Sequence, residues 1–542
     1  MKGIYADILL PLALEGLLTY RVPEELAGAA KRGQQVKVPV GKGIHTGVIF
    51  NVAEHTGAVS DPKEIRDIVE IVNALPIVSE NALVLWEWIA RYYMCPPGMV
   101  AKTGLSMYSF RRRAESVSEE RDHVPVPGKP LYAEGPDRTG IYREHVRQTL
   151  SRGQQCLIIC PDMVSCESIY EKLLPDFKEQ LICFHSKRPL REQSRAKKEL
   201  YAGNPVVVTG MQQSLFLPFT DPGLIVVERE EHPGHKRNDS APHLHARDTA
   251  LMMGQIYGSR VLLGSAVPSL ETLHNTVTGK FGHLKTPDRV TDRENRIIIT
   301  DTSDPFVQKN MKGFLDVRSY GALRECLDKG MEALLVEADP MSVENHVPVP
   351  GITVCKPFRT HHHLGKDIGM ISFLHTEKLL SRKHFRATEQ ACHAAGNVMR
   401  WVAAQDKPVP VFFQSSDVDH PFYEALREGL SDSFLHHLLE ERKRYGYPPF
   451  TRMIMLTVSH NKKTTALTKA TMLLNRLGQE KWPARAEGPF LPFETRMVQF
   501  SYRLQITIPK NVKIQPLKEI ISAAVKEMPL APARCRIDVD PA

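Results

Sequence analysis

Between residues 155 and 264, short apolar runs alternate with longer amphipathic stretches, and this alternation limits the possible fold more than any other feature. The runs 155–160, 181–185, 205–209, 223–227 and 260–264 are rich in Val, Ile and Leu without polar alternation. Such strands are buried on both faces. The stretches 142–151, 164–174, 190–201 and 246–254 carry helical spacing instead. Strand–helix alternation of this kind predicts a doubly wound parallel sheet. A thinner version, with strands at 333–337, 369–374 and 409–414, recurs across 313–416 and is too short for a complete lobe.

The flanks read differently. Runs at 4–9, 18–22, 35–39 and 46–52 are separated by turn residues and predict a small β-rich, barrel-like domain. The stretch 79–93 predicts an amphipathic helix that closes it, with Leu83, Leu85, Trp86, Ile89 and Ala90 inward. Residues 107–130, with three arginines at 111–113 and a Val-Pro-Val-Pro-Gly run, read as a linker. The tail reads strand 451–459, helix 462–477, strand 484–488, strand 499–508, helix 514–526 and strand 533–540. That βαββαβ order is ferredoxin-like. A chain of 542 residues needs several cores. The expectation is a multidomain α/β protein divided at 1–106, 107–130, 131–312, 313–440 and 441–542.

Charge concentrates in the tail. Residues 441–542 hold 18 lysines and arginines against 8 acids, a net +10, while the other 440 residues net −2. A polyanionic partner accounts for this, as does a solvated basic surface. Arg444, Tyr445, Tyr447, Phe450, Arg452, Arg496, Phe500, Tyr502 and Arg503 interleave rings and cations as a nucleic-acid face would. Core packing of the rings is the alternative. The nine cysteines are scattered and form no Cys-x-x-Cys pair, which argues against disulfides and structural zinc. No stretch approaches a membrane span and no signal-peptide core follows Met1, so the expected location is cytoplasmic.

Three segments invite chemistry. The run Val38-Pro39-Val40-Gly41-Lys42-Gly43 is a strand entering a glycine turn, where N–H groups and a lysine could approach a phosphate; a plain hairpin turn fits as well. The segment Gly135-Pro136-Asp137-Arg138-Thr139-Gly140-Ile141-Tyr142 spaces two glycines as a phosphate-binding loop does. However, Ile141 and Tyr142 stand where Lys and Ser/Thr belong. Without the lysine that neutralises phosphate and the hydroxyl that holds Mg²⁺, tight triphosphate binding is not expected. Glu228-Arg229-Glu230-Glu231-His232 follows an apolar strand, where a metal-binding acid would sit. Without the lysine loop, a plain solvated loop is the preferred reading.

Four segments in order resemble the PriA-type (primosomal protein N′) replication-restart helicase family. They are 18–26 (Leu-Thr-Tyr-Arg-Val-Pro-Glu-Glu-Leu), 264–271 (Gly-Ser-Ala-Val-Pro-Ser-Leu-Glu), 441–450 (Glu-Arg-Lys-Arg-Tyr-Gly-Tyr-Pro-Pro-Phe) and 536–541 (Arg-Ile-Asp-Val-Asp-Pro). The resemblance implies a first domain that captures a DNA 3′ end through Leu18, Thr19, Tyr20, Gly41, Lys42 and Arg66, with Thr19 where the family often has an acid. It also implies a RecA-like helicase core using ATP and Mg²⁺, and eight cysteines holding two zinc ions.

This core departs from the family pattern. The lysine loop has lost its lysine, leaving Gly135 and Gly140. The Asp-Glu-Glu-His box falls on 228–232, putting Glu228 or Arg229 at the metal-binding position beside Glu230 and Glu231. The two arginine-finger positions, 401 and 404, are Trp and Ala. The zinc module, due between 340 and 351, is reduced to a short linker, and the winged helix to 107–130. Three consecutive histidines, 361–363, stand at the family's Lys-Gly-His element; side chains splayed around a regular element make no metal site.

The expected function is therefore DNA binding in replication restart at branched or 3′-ended DNA, without catalysis, cofactor or metal. Primosome, single-strand-binding and helicase-loader proteins are the further partners the resemblance suggests. A weakly active ATP-dependent helicase, with Lys42 or Lys236 substituting for the lost lysine, is one alternative. A protein scaffold that does not touch DNA is another.

Overall fold

The computed structural model describes residues 3–54, 65–108, 128–135, 137–286, 297–339, 350–365, 367–381, 384–430, 432–492, 499–529 and 531–541. Most of the linker and nearly all of the 340–351 segment lie outside these residues, as does Arg496.

The first sheet is antiparallel, in the order Leu18–Val22, Ile4–Leu9, Gly43–Ala53, Gln35–Val40, Glu70–Ile71. Its open ends meet through the backbone: Arg21 N–H donates to Arg66 O at 2.9 Å, and Ile68 N–H donates to Arg21 O at 2.9 Å. Ala6, Ile8, Tyr20, Val36, Val38 and Ile49 fill the interior. Period-2 alternation places these side chains on one face.

Closure by its own backbone leaves the following helix free for another task. Ser79 caps Glu80–Tyr92 by accepting from Ala82 N–H at 3.2 Å. The sequence assigns this helix to the barrel. Leu83, Trp86, Ile89 and Tyr93 share a core with Leu9 and Val48 of the barrel, and that core extends to Leu215, Phe216, Ala246, Ala250 and Met253 of the central domain. Burying a side chain of this size contributes roughly 1.5–3 kcal/mol, which outweighs the cost of fixing a short connection.

The central sheet has seven parallel strands, ordered Gly282–Lys285, Leu131–Glu134, Arg260–Ser265, Pro222–Glu228, Gln155–Ile159, Val207–Gly210, Leu181–Phe184. Gln155–Ile159 is buried at every position, as its unbroken apolar run requires. Leu131–Glu134 and Gly282–Lys285 were not legible as strands.

The second parallel sheet is fuller than its sequence suggests. Its five strands run Ile297–Asp301, Val411–Ser415, Ile368–Phe373, Glu332–Val336, Ile352–Cys355. Ile297–Asp301 pairs with Val411–Ser415, so a boundary at 312 cuts through this sheet. The sequence shows three of these strands; Ile297–Asp301 and Ile352–Cys355 are the two it does not show.

The tail sheet runs Arg485–Phe490, Phe500–Pro509, Thr451–His460, Arg534–Val539, all antiparallel. Lys463–Gly478 and Ile514–Glu527 contribute Ala470, Leu473, Ile521 and Ala524 to the core that holds Ile454, Leu456, Leu504 and Ile506. The opposite side of the sheet therefore carries the other strand parity, including Arg503 and Arg536 on either side of Thr457.

The tail is pinned both to the central domain and to the helix Glu80–Tyr92. Lys236 pairs with Asp538 at 2.8 Å and donates to Val539 O at 2.6 Å. Tyr92 Oη donates to Asp540 at 2.6 Å. No helix among the described residues is long and apolar enough to cross a membrane.

Candidate functional site

Leu131–Glu134, Pro222–Glu228 and Arg260–Ser265 end side by side at the carboxyl edge of the central sheet, the edge where open α/β sheets hold ligands. Here the chain's own side chains fill the space. Arg138, just before helix Thr139–Ser151, forms a buried ion pair with Glu228. Its Nε lies 3.2 Å from Glu228 Oε2 and 3.2 Å from Tyr142 Oη, and its NH1 donates to Gly135 O. Tyr142 Oη donates to Glu228 Oε2 at 2.5 Å. Burial alone would raise the Glu228 pKa, but the Arg138 charge outweighs it and holds the carboxyl below its ordinary value. The Asp137 carboxylate accepts the Thr139 N–H at 3.1 Å, placing an acid at the helix N-terminus where a phosphate would bind.

The loop glycines serve other ends. Gly135, at φ +138°, has no room for a side chain, since a Cβ would overlap Thr286 Oγ1. Gly140 is exposed on the first turn of the helix.

The 228–232 segment is not the solvated loop its sequence suggests. Glu230, 0% exposed, accepts from Ser269 N–H at 2.7 Å, Ser269 Oγ at 2.9 Å and Arg247 at 3.1 Å. Burial raises its pKa, and Arg247 opposes that rise. Glu231 accepts from Ser265 Oγ at 2.8 Å. Carboxylates desolvated this far need donors, and each has found them within the protein. Lys236 is also committed, to Asp538 and Val539, and lies away from the loop it was offered to replace.

The two lobes meet across this edge. Positions 401 and 404 carry no arginine, but Arg400, on helix Ala387–Ala403, donates to Glu134 Oε1 at 2.9 Å. Arg386 is bidentate to Glu271 at 2.8 and 3.1 Å, and Leu270 N–H donates to Glu389 at 2.8 Å. Sequence reasoning missed Arg138 and Arg400. Arg138 lay in the loop already singled out, one residue before the helix.

The first domain gathers its predicted residues at one end. Thr19 faces Asp7 across the strand pair, and its hydroxyl donates to Asp7 Oδ1 at 2.7 Å. A carboxylate, Asp7, therefore lies beside position 19, a neighbour the hairpin register could have revealed. Leu18, beside Thr19, is half-buried and packs against the barrel core. Tyr20 is buried, with its hydroxyl on Pro39 O at 2.9 Å. Arg66 donates to Gly41 O at 3.1 Å, pinning the turn that Gly41 makes at φ +57°. Lys42 next to it is exposed.

The tail residues separate. Arg444 and Tyr445 are exposed, Tyr445 at 65%, with the guanidinium 5.7 Å from the ring centroid. Tyr447 stacks on Phe385 at 4.8 Å, and Arg452 donates to Val512 O at 3.0 Å. Phe450 packs on the second lobe, while Phe500 is half exposed. Tyr502 is 4% exposed and belongs to the tail core, so it is no stacking platform. Strand parity puts it on the helix side, opposite Arg503.

Two of the three histidines converge rather than splay. They lie at the end of the 3₁₀ turn Pro357–His362, and both His361 and His362 reach Asp162.

Residues 7–106 match the model of a 3′DNA-binding domain (3′BD), and residues 443–542 that of a primosomal protein N C-terminal domain. The replication restart protein PriA of Rickettsia conorii is 23% identical over 99% of this chain and 99% of its own length. That of Helicobacter pylori strain 26695 is 24% identical over 75% of this chain and 78% of its own. Among solved structures, RecG bound to a three-way DNA junction superposes with a TM-score of 0.40 and 12% identity, covering 68% of this chain and 53% of that one. Domain matches at both ends, joined by alignment along the whole length, make this chain similar to the PriA-type replication restart proteins.

Proposed function

We propose that this protein acts in replication restart by binding branched or 3′-ended DNA through its first and last domains, and that it neither binds nor hydrolyses ATP. The observation carrying the second half is the Arg138–Glu228–Tyr142 group. It puts a fixed cation, a carboxylate and a phenol where a triphosphate and its Mg²⁺ would lie. A buried carboxylate already neutralised by an internal guanidinium offers a metal ion little, and the paired guanidinium offers a phosphate little.

The first half is supported by the 3′DNA-binding domain match over 7–106 and by the surface charge of the tail. In this reading Asp7 and Thr19 meet a terminal hydroxyl, while Lys42 and Arg66 meet the adjacent phosphates. Arg444, Tyr445 and Arg503 contact the duplex or its branch. The test is a binding series with forked, 3′-tailed, blunt duplex and single-stranded DNA, with and without magnesium ATP. Tighter binding to forked and 3′-tailed DNA that nucleotide leaves unchanged is expected. Equal affinity for all four, or binding that requires ATP, would refute the reading.

A further inference from the structure

The histidine turn and the central sheet create a constellation unrelated to the nucleotide edge. Asp162 caps helix Met163–Phe177 with one oxygen, Oδ1 accepting Ser165 N–H at 2.8 Å. Its other oxygen faces the second lobe. His361 Nε2 lies 2.8 Å from that Oδ2 and His362 Nε2 lies 3.2 Å from it. The three candidate donor atoms fall within 4.8 Å of one another.

Hydrogen bonding accounts for only part of this arrangement. His361, with its side chain 6% exposed, is bonded to the carboxylate. His362 Nε2 is buried and 3.2 Å from the same oxygen, but is not aligned for a good hydrogen bond to it. Two imidazole nitrogens and a carboxylate oxygen, each about 2.1 Å from a first-row cation, would stand about 3.0–3.4 Å apart in octahedral or tetrahedral geometry. The two separations from Asp162 Oδ2, 2.8 and 3.2 Å, bracket the lower end of that range, and the two imidazole nitrogens lie within 4.8 Å of each other. The neighbours complete an enclosure without competing for the ion. His232 packs edge-on to His361, but its own nitrogens are occupied: Nδ1 accepts from Gly234 N–H at 3.0 Å and Nε2 donates to Phe358 O at 2.9 Å. Arg229 faces the group as a like charge, and the adjacent Glu228 and Glu231 offset it.

We infer that Asp162, His361 and His362 form a site for a first-row divalent transition-metal ion, of the zinc, cobalt or nickel class, that joins the two lobes. Two imidazoles and one carboxylate favour these ions over Mg²⁺ and Ca²⁺, which take mainly oxygen ligands. Three protein ligands leave at least one position for water. Because Asp162 belongs to the first lobe and the histidines to the second, binding holds the lobes in their present contact.

The test is equilibrium dialysis of the full chain against Zn²⁺, paired with thermal unfolding and with the visible absorption of the Co²⁺ form. Asp162→Asn, His361→Gln and His362→Gln are compared with Cys183→Ser, which disables the neighbouring Glu167, Cys183 and His185 group instead. Asparagine keeps an oxygen for the helix cap, so Asp162→Asn separates ligation from folding. The expected result is one equivalent bound, a raised melting temperature, and loss of both in the Asp162 and His361 variants but not in Cys183→Ser. Absence of binding would overturn the inference, as would an equivalent that survives Asp162→Asn and His361→Gln or disappears in Cys183→Ser.

Discussion

Arg400, on the helix Ala387–Ala403 of the second lobe, donates to Glu134 at the end of a first-lobe strand, 2.9 Å away. Glu134 is buried and also meets His283 at 2.8 Å and Lys285 at 3.8 Å. Burial alone would raise its pKa, but the bond to Arg400 outweighs this and keeps it ionised. An arginine that could have reached across the cleft toward a nucleotide is held by a carboxylate of the opposite wall. Arg138 on Glu228 is a pair within the first lobe, and Arg400 on Glu134 is the pair that crosses between the lobes.

Breaking the inner pair should be expensive. Arg138→Met leaves Glu228 ionised and buried without its cation, a change that costs about 3–5 kcal/mol. Urea unfolding should show this as a lower midpoint with unchanged slope. Adding Glu228→Gln should recover much of the loss, because the stranded charge is then gone.

The outer pair should be coupled but weaker, since Arg400 is partly exposed. A double-mutant cycle of Arg400→Ala and Glu134→Gln should give a coupling of about 0.5–2 kcal/mol in unfolding experiments. Purely additive effects would show that the contact contributes nothing to lobe closure.

DNA affinity should fall in a charge-counted way. Lys42→Ala and Arg66→Ala should each weaken binding and reduce the slope of log affinity against log salt by about one. Arg503→Ala should weaken binding. Tyr502→Ala should instead destabilise the tail by about 3–5 kcal/mol as a core truncation. Fluorescence anisotropy across salt, with parallel melting curves, separates these outcomes.

Acid should unfold the protein before most carboxylates titrate. Burial first, then Arg386 and Arg442, lowers the His384 pKa to about 4, while burial and Arg247 hold His245 well below its ordinary 6.5. Both imidazoles remain neutral in the folded chain at pH values where the unfolded chain protonates them. Their stabilisation is therefore complete above pH 6.5 and is lost as pH falls from 6.5 toward 4. Each contributes up to about 1.4 kcal/mol per pH unit in that window. Denaturant midpoints measured from pH 7 to pH 4 should fall accordingly, and His384→Gln should flatten the curve.

Where one segment's own pattern decided its structure, the sequence was readable. The helix Leu190–Tyr201 and the strand Ile4–Leu9 have the limits that their patterns imply, and the tail elements follow in the expected order. Where partners distant in the chain decided, it was not. Ile297–Asp301 is a strand because Val411–Ser415 lies beside it, more than a hundred residues later. Tyr502 was legible in principle, since it shares strand parity with Leu504, Ile506 and Ile508, but composition drew attention to its ring instead. That Ile141 and Tyr142 follow Gly140 could be read directly. That Arg138 occupies the space, and that Asp162 gathers two histidines, depend on side chains meeting across 90 and 199 residues.

Isothermal titration of the purified full chain with magnesium ATP and magnesium ADP tests the filled cleft most directly. No saturable heat up to millimolar nucleotide is expected, together with undiminished binding of forked DNA in the same sample. Micromolar, saturable uptake of either nucleotide would contradict the account.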